Sequence, residues 1–395
     1  MRKLLAMLLI HTLILPCMAC SKSDSTSVMD TTPSTLQSEE TGSSSTEKGP
    51  VDFPDLKESD DHFFINEDTK YEKLIQAVIQ SASVNGYHGV MLLATDEEII
   101  LFGAPGAMAI DNTPSDPYTI YEVGSISKTF TAVMVMKLID QGKMRMDDYL
   151  AKYFPEYKAG REITIANLLN MQSGIVDYVN QAEVFFAGAD RDPEEIITTA
   201  GLTDEEFLSF LYAQDLQFEP GTKTRYCNTN YHLLALIIEQ LTGESFGEAV
   251  KREIFDPLGM THSSAMTVGD ETSVPDSTIG YHQFQEGARG AGDIHSCMAD
   301  MIVFDRALFD GDLISVKSLT RMKDFKDGNY GCGLFPYGEH AYGHSGSVAC
   351  YGSENVVFET EEFGRVYFIA STADPDCMMG LESIVSQLTG YLKNK

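Results

Sequence analysis

The stretch Tyr121-Glu-Val-Gly-Ser125-Ile-Ser-Lys128-Thr-Phe-Thr-Ala132 decides which fold and chemistry to expect of this chain. A serine hydroxyl is a weak nucleophile at neutral pH unless a base or a charge lies beside it. Lys128 follows Ser125 by three residues, and side chains with this spacing lie on one face of a helix. The first turn of a helix also offers free N–H groups and a dipole that favour negative charge. The stretch therefore predicts an activated serine at the beginning of a helix.

An apolar run follows Lys128 and continues to Gly142, a residue typical of a helix C-terminus. A helix that is apolar on most faces is buried, so polar residues at its start need a reason. The alternative is a core helix capped by serine, with a lysine that extends to water. Ser45-Thr-Glu-Lys48 repeats the Ser-x-x-Lys spacing without such a run, and we interpret it as a coincidence within a linker.

The N-terminal region predicts export. Arg2 and Lys3 precede an apolar run over residues 4–15 that is too short to span a membrane. Ala19-Cys20 resembles a bacterial lipoprotein cleavage site, so we expect residues 1–20 to be a signal peptide and Cys20 to become the lipidated N-terminus. Residues 21–60 are rich in Ser, Thr, Asp and Glu and predict a disordered linker. Residues 61–395 then form the folded domain, held by its lipid at the extracytoplasmic face of a bacterial membrane.

Charge and cysteine content narrow the classes of function. The formal net charge is −31, from 28 basic and 59 acidic residues, and no basic patch interleaved with aromatic residues occurs. This balance excludes nucleic acid as a partner. The domain holds an odd number of cysteines without metal-ligand spacing, which argues against a disulfide framework and leaves a single bridge open: Cys227, Cys297, Cys332, Cys350 and Cys377.

The hydrophobic pattern predicts an α/β (α+β) fold. Strand patterns occur near both ends of the domain, and a long region of helix and loop separates them, which indicates an antiparallel sheet flanked by N- and C-terminal helices with an inserted all-helical lobe. The predicted elements are a helix within 67–84, a hairpin at 89–94 and 99–102, helices and loops over 143–265, a helix at 231–241, a turn at 257–260, strands at 354–358 and 366–371, and a closing helix at 379–393.

Two further motifs follow the serine in chain order: Tyr226-Cys-Asn228 and His344-Ser-Gly346-Ser347. With Ser125-x-x-Lys128 they resemble the beta-lactamase-related serine hydrolases, a family that includes class C beta-lactamases, D,D-carboxypeptidases, D-aminopeptidases and esterases. The resemblance extends over residues 65–395. It implies a beta-lactamase/transpeptidase-like fold and hydrolysis without a cofactor or metal.

The resemblance also implies roles for individual residues. Ser125 would be the acylated nucleophile, Lys128 its ammonium neighbour, and Tyr226 the general base, as a phenolate or through a proton shuttle held by Lys128. A phenol beside an ammonium is expected to have a lowered pKa. The N–H groups of Ser125 and Ser347 would form the oxyanion hole. The implied substrate-binding residues are Asn228, which would bond Lys128 and the substrate amide, together with His344, Gly346 and Ser347.

Three positions depart from the family pattern. Met171 stands where a histidine is common and predicts the loss of a local hydrogen bond, and Cys350 stands near a usual glycine. His344 replaces the lysine of penicillin-recognising members and would face a substrate carboxylate or leaving group. Because imidazole is mostly neutral at about pH 7, this replacement argues against dedicated beta-lactamase activity. We expect a monomer that acts on D-amino-acid peptides or peptidoglycan-type substrates, with an esterase or weak class C-like beta-lactamase as the alternative.

Other classes of function fit less well. Gly343-His-Ser345-Gly-Ser347 nearly matches the Gly-x-Ser-x-Gly nucleophile elbow, but the last glycine and a later histidine are missing. His340 and His344 have the i, i+4 spacing of a zinc helix, yet the glycines around them disfavour a helix. A non-catalytic relative, such as a penicillin sensor or a wall-binding lipoprotein without turnover, stays open.

Overall fold

An antiparallel sheet of eight strands forms the centre of the molecule, in the order β1-β2-β4-β3-β11-β10-β9-β8. A smaller antiparallel sheet has the order β5-β7-β6. The strands are β1 (Lys57–Glu58), β2 (Phe63–Ile65), β3 (Val90–Thr95), β4 (Ile99–Gly103), β5 (Tyr121–Glu122), β6 (Ser264–Ala265), β7 (Ile294–Ser296), β8 (Phe335–Gly338), β9 (Ala341–Val348), β10 (Tyr351–Thr360) and β11 (Gly364–Thr372).

The computed structural model describes residues 57–58, 63–107, 115–193, 196, 202–265, 288–325, 329–348, 351–374 and 377–393. These residues belong to one compact unit, Lys48–Lys395. The predicted signal peptide, the linker up to residue 56, Cys20 and Cys350 lie outside the described residues. Among the described helices, none is both long and apolar enough to cross a membrane.

Most helices fall between the two groups of sheet strands, as the sequence predicts. The α-helices are α1 (Glu72–Val84), α2 (Ser127–Asp140), α3 (Ile165–Leu169), α4 (Ala182–Phe185), α5 (Asp204–Tyr212), α6 (Asn228–Thr242), α7 (Phe246–Val250), α8 (Asp256–Leu258), α9 (Met298–Asp310), α10 (Val316–Met322) and α11 (Met378–Leu392). Short 3₁₀ turns cover Thr69–Tyr71, Gly124–Ile126, Leu150–Lys152 and Lys158–Arg161, and a π-helical turn covers Lys251–Phe255.

Each face of the central sheet buries a separate apolar core, because neighbouring side chains on a strand point to opposite faces. On β11, Val366 and Phe368 pack with the terminal helices α1 and α11. Tyr367 and Ile369, on the other face, pack against the inserted helices, with α2 among them. The predicted antiparallel sheet between N- and C-terminal helices is therefore confirmed.

The inserted region differs from the prediction in three details. It contains the sheet β5-β7-β6, whose strands have two or three residues and are too short to show an alternating pattern. Helix α6 begins at Asn228, three residues before the predicted start. The predicted turn at 257–260 is the short helix α8, and Gly259 ends it in the left-handed conformation with φ of 66°.

Candidate active site

Ser125 lies in the 3₁₀ turn that leads into α2, and its side chain is partly exposed. Ser127 fixes this turn from within the core. Its Oγ donates to the Gly124 carbonyl at 2.7 Å and accepts from the Ile294 N–H at 2.9 Å. These two bonds attach the turn to strand β7. They fix the backbone position of Ser125 at the start of the helix.

Lys128 is fully buried, with 0% of its surface exposed. Its Nζ donates to Ser125 Oγ at 2.9 Å and to the Ala291 carbonyl at 2.5 Å. The alternative of a lysine that extends to water is therefore wrong. Burial disfavours an ammonium and lowers the pKa of Lys128 to about 7, against the opposing charges of Asp177 and Asp293. An amine in this state can take up a proton near neutral pH.

Tyr226 lies just before α6, half-buried, and brings its hydroxyl to the same serine. The Ser125 hydroxyl is close enough to act on the pKa of Tyr226 and to lower it, and Lys128 Nζ lies 4.9 Å from the centroid of the Tyr226 ring. Burial raises the pKa of Tyr226 far above its ordinary value. The expected lowering of this pKa is wrong, because the loss of hydration on burial is the largest effect and raises it. The phenol is neutral at neutral pH.

Asn228 occupies the first position of α6 and is buried. Its amide nitrogen donates to both carboxylate oxygens of Asp177, at 3.3 and 3.1 Å, whereas Lys128 donates to Ser125 and Ala291. Asp177 also accepts from the Val179 N–H at 3.0 Å and from the Asn180 side chain at 2.6 Å. Asn228 thus anchors a carboxylate whose charge acts on Lys128. Its predicted contact with substrate stays a prediction.

Met171 adopts the left-handed backbone conformation with φ of 58°, a region that side-chain-bearing residues rarely occupy. Its sulfur accepts a hydrogen bond from the Cys227 N–H at 3.3 Å, directly after Tyr226. Its carbonyl accepts from the Arg225 N–H at 2.8 Å. The thioether thus makes a local hydrogen bond of its own, and Met171 helps to hold the segment that carries Tyr226.

His344 lies on β9 with only 1% of its surface exposed. Its Nδ1 faces the Ser345 carbonyl at 2.6 Å, so this nitrogen donates, and its Nε2 accepts from the Tyr330 hydroxyl at 2.9 Å. Burial, together with the Lys128 ammonium, lowers the pKa of His344 to about 3. The imidazole is therefore neutral, with both nitrogens engaged.

An aromatic cluster encloses His344 and joins it to Tyr226. The Phe335 ring lies 4.8 Å from the imidazole, 4.7 Å from the ring of Tyr330 and 5.9 Å from that of Tyr226, between centroids. The His344 side chain is therefore enclosed by rings in this conformation, next to Tyr226. Its predicted contact with a substrate carboxylate or leaving group stays a prediction.

The second half of β9 lies against the nucleophile turn. A Cβ added to Gly346 would lie 1.9 Å from the Val123 carbonyl oxygen and 3.1 Å from Ser125 N, and one on Gly124 would lie 2.8 Å from Ser347 N. Ser347 is exposed, and its Oγ lies 3.9 Å from the sulfur of Met378. The backbone amides of Ser125 and Ser347 thus lie across one tight interface, a place suited to the predicted oxyanion hole.

Gly346→Ala is expected to lower kcat/KM by about 10²-fold, because the methyl group must push β9 away from Ser125 and a shift of about 1 Å in reacting groups has this effect. Gly390→Ala is the control, since nothing lies within 4 Å of the Cβ that it adds and alanine suits a helix better than glycine. Steady-state kinetics of both variants test this. Parent-like activity of the Gly346 variant would show that the interface does not position the reacting groups.

Among the residues that the structure describes, two groups of side chains have metal-ligand chemistry, each with ligand atoms within 4.8 Å of one another: His88, Asp374 and Cys377, and His262, Cys297 and Asp300. Neither group contains a residue of the Ser125 site. In the second group, Asp300 accepts from the His262 N–H and the Ser263 hydroxyl, both at 2.8 Å, and Cys297 caps α9. These hydrogen bonds give Asp300 and Cys297 a structural role, which explains their presence without a metal.

Sequence reasoning missed several residues that complete the site: Asp177, Ala291, Asp293, Tyr330 and Phe335. Ala291 contributes only its backbone carbonyl, which no sequence pattern marks. Asp293 and Asp177 are single acidic residues within loops of a chain that has 59 acidic residues.

The fold and this site together define a class, that of the beta-lactamase-related serine hydrolases. The Beta-lactamase family profile matches residues 74–378, more than half of the chain. The chain therefore belongs to the Beta-lactamase family.

Individual relatives agree with this assignment. The putative penicillin-binding protein PbpX of Bacillus subtilis (strain 168) is 29% identical over 292 residues, which cover 67% of this chain and 68% of that protein. The D-amino acid amidase of Ochrobactrum anthropi SV3 has the same fold, with a TM-score of 0.64, 23% identity and coverage of 83% of this chain and 100% of the other. The D-stereospecific amidohydrolase of a Streptomyces species gives a TM-score of 0.62, 25% identity and coverage of 80% and 98%.

Proposed function

We propose that this protein hydrolyses amide or ester bonds through an acyl-enzyme formed on Ser125, and that its substrates are D-amino-acid peptides or peptidoglycan-type peptides. One observation carries the proposal. Ser125 Oγ accepts a hydrogen bond from Lys128 at 2.9 Å, and the Tyr226 hydroxyl lies beside the same side chain. A serine between a buried amine and a half-buried phenol has both an acceptor for its proton and a route for returning that proton.

Lys128 is the proposed base in the first step. With a pKa lowered to about 7, a large fraction of the amine is neutral at neutral pH, whereas the raised pKa of Tyr226 keeps its phenol protonated. The neutral amine takes the Ser125 proton as Oγ bonds to the substrate carbonyl carbon. The carbonyl π electrons move to its oxygen, which the N–H groups of Ser125 and Ser347 stabilise.

Tyr226 is the proposed relay in the second step. Its hydroxyl oxygen accepts a proton from the Lys128 ammonium, and the hydroxyl donates its own proton to the leaving amine or alkoxide. The carbon–nitrogen or carbon–oxygen bond breaks, and the acyl group stays on Ser125. Water then attacks the acyl-enzyme with the same groups in reverse order, which returns the Ser125 proton and releases the acid.

The choice of substrate class rests on the relatives. The Streptomyces relative is a D-stereospecific amidohydrolase by name, and PbpX is a putative penicillin-binding protein. An esterase is the second candidate, favoured by the neutral and enclosed His344, since this position supplies no cation for a substrate carboxylate. The proposed location, a membrane anchor at Cys20 outside the cytoplasm with peptidoglycan within reach, fits either substrate.

Covalent labelling combined with a substrate panel tests the proposal. The protein is treated with a fluorophosphonate and a fluorescent penicillin, and is assayed with D-Ala-D-Ala peptides, D-amino-acid amides, p-nitrophenyl esters and a chromogenic cephalosporin. We expect labelling on Ser125 by mass spectrometry and turnover of D-configured amides above their L-isomers. A preference for esters with no D-amide turnover would favour the esterase.

Ser125→Ala is the control for every assay. We expect it to lose labelling and turnover and to keep the parent melting temperature, because the side chain is partly exposed and loses only one oxygen. Labelling of the parent without turnover of any substrate would favour the non-catalytic penicillin sensor. An alanine variant that labels or hydrolyses as well as the parent would refute an acyl-enzyme on Ser125.

A further inference from the structure

Asp293 is a buried acidic residue to which the proposed reaction so far gives no role. Only 1% of its surface is exposed. Its Oδ1 accepts from the Gly290 N–H at 2.9 Å, and its Oδ2 has no hydrogen-bond partner among the described residues. A buried carboxylate with one free oxygen is costly, so its presence beside Lys128 needs an explanation.

Asp293 closes the turn at residues 288–293. The N–H groups of Ala291 and Gly292 both donate to the Ala288 carbonyl, at 2.7 and 2.8 Å, and Asp293 adds the bond to Gly290. The Thr131 hydroxyl of α2 donates to the Gly290 carbonyl at 2.7 Å. The turn is thus attached to the helix that carries Lys128, and it presents the Ala291 carbonyl to the Lys128 amine.

The titratable groups that face Lys128 come from several elements. Asp177 and Asp293 oppose the loss of its proton by their charge, while Tyr226, Cys227 and His344 are held neutral by burial. Arg289 also acts on Asp293, but its guanidinium already pairs with Asp204 at 2.9 Å and Glu239 at 3.1 Å. The Asp293 charge therefore acts on two cations, on Arg289 more strongly and on Lys128 as well.

We propose that Asp293 is a positioning residue for acylation: its carboxylate holds the turn that presents the Ala291 carbonyl to Lys128, and its charge sets the pH at which Lys128 becomes a base. This inference rests on the proposed function of Lys128. A negative charge favours the ammonium and so moves the loss of its proton to higher pH. Burial raises the pKa of Asp293 to about 7, so both groups change charge in the same pH range and act on each other.

Asp293→Asn separates the charge from the turn, because the amide oxygen can still accept from the Gly290 N–H. Activity of the parent falls as Lys128 is protonated below about pH 7. In the Asn variant the ammonium loses a favourable charge, so this acid limb of kcat/KM is expected to move down by about one pH unit. Asp293→Ala also loses the turn, and its plateau is expected to fall by about tenfold in addition.

Asp305→Asn is the matched control. Asp305 is equally buried, its pKa is likewise raised to about 7, and its Oδ1 accepts from the Asn355 amide at 3.0 Å. The acid limb of kcat/KM in the Asp305→Asn variant is expected to coincide with that of the parent. Should the Asn variant of Asp293 fail to fold, as judged by its melting curve, Asp293→Ser supplies the same neutral test.

The outcome separates this inference from the proposed function. The inference is overturned if the acid limb of kcat/KM is the same in the Asp293→Asn variant and the parent while Ser125→Ala is inactive. If Ser125→Ala keeps its activity, the proposed function itself fails. An equal limb shift in the Asp305 variant would mean that any buried carboxylate has this effect, and would also overturn the role of Asp293.

Discussion

Substitution of Lys128 by methionine is expected to lower kcat/KM by about 10³-fold on the alkaline plateau, within the range of about 10²–10⁴ that a general base contributes. Methionine fills the buried space with a side chain of similar length and removes the amine that contacts Ser125 at 2.9 Å. The loss comes from the chemical step, since Lys128 is buried and meets the substrate only through Ser125. Single-turnover labelling with the fluorophosphonate measures it directly.

Lys137→Met is the control from the same helix. Lys137 donates to the Glu253 carbonyl at 3.0 Å, and its Nζ lies 3.5 Å from the Glu253 carboxylate. It has no contact with the Ser125 site, so this variant is expected to keep the parent kcat/KM. If the Lys128 variant labels at the parent rate, Lys128 is not the base, and Tyr226 would have to take that role despite its raised pKa.

Substitution of Tyr226 by phenylalanine is expected to lower kcat for amide substrates by about 10²-fold, with a much smaller loss for p-nitrophenyl esters. The leaving amine needs a proton from the relay, whereas p-nitrophenolate leaves as a stable anion. Only a hydroxyl is removed, so the ring contacts with Lys128 and Phe335 stay. Parallel kinetics on an amide and an ester with the same acyl group measure the difference.

Tyr231→Phe supplies the comparison for this second prediction. Tyr231 is buried, and its hydroxyl donates to the Leu169 carbonyl at 2.9 Å, so its loss is expected to lower stability by about 1 kcal/mol without a selective effect on amides. Equal losses for amide and ester in the Tyr226 variant would argue against a relay to the leaving group. Unchanged kcat for both would remove Tyr226 from the mechanism.

Much of the fold could be predicted because its signals are local. The hairpin of β3 and β4 and the strands β10 and β11 contain short, continuous apolar runs, and α2 is a longer apolar run. Strand β9 was missed as a strand, since the glycines of Tyr342-Gly-His344-Ser-Gly346 have low strand propensity. They are needed there for close approach: a Cβ on Gly343 would lie 2.0 Å from the Asn355 carbonyl oxygen.

The sequence predicted which residues form the candidate site better than it predicted their protonation states and surroundings. Ser125, Lys128 and Tyr226 do converge as the motif order implies. The sign of the Tyr226 pKa shift was predicted wrongly, because it depends on how much water the fold removes. The expected contact of His344 with substrate stays a prediction, while the aromatic rings that enclose His344 come from elements with no shared sequence pattern.

The sequence by itself determined the nucleophile turn and the buried helix behind it, because both depend on spacing between residues close along the chain. It also indicated most strands of the sheet, whereas the pairing of β3 with β11, for example Leu93 with Phe368, joins distant segments. Only the tertiary structure shows the environment of the groups that are candidates for the base. Burial of Lys128 lowers its pKa to about 7, while Asp293 reaches it from a turn 165 residues further along the chain. Desolvation and charge act through space, so they are set by packing between distant segments and leave no local pattern to read.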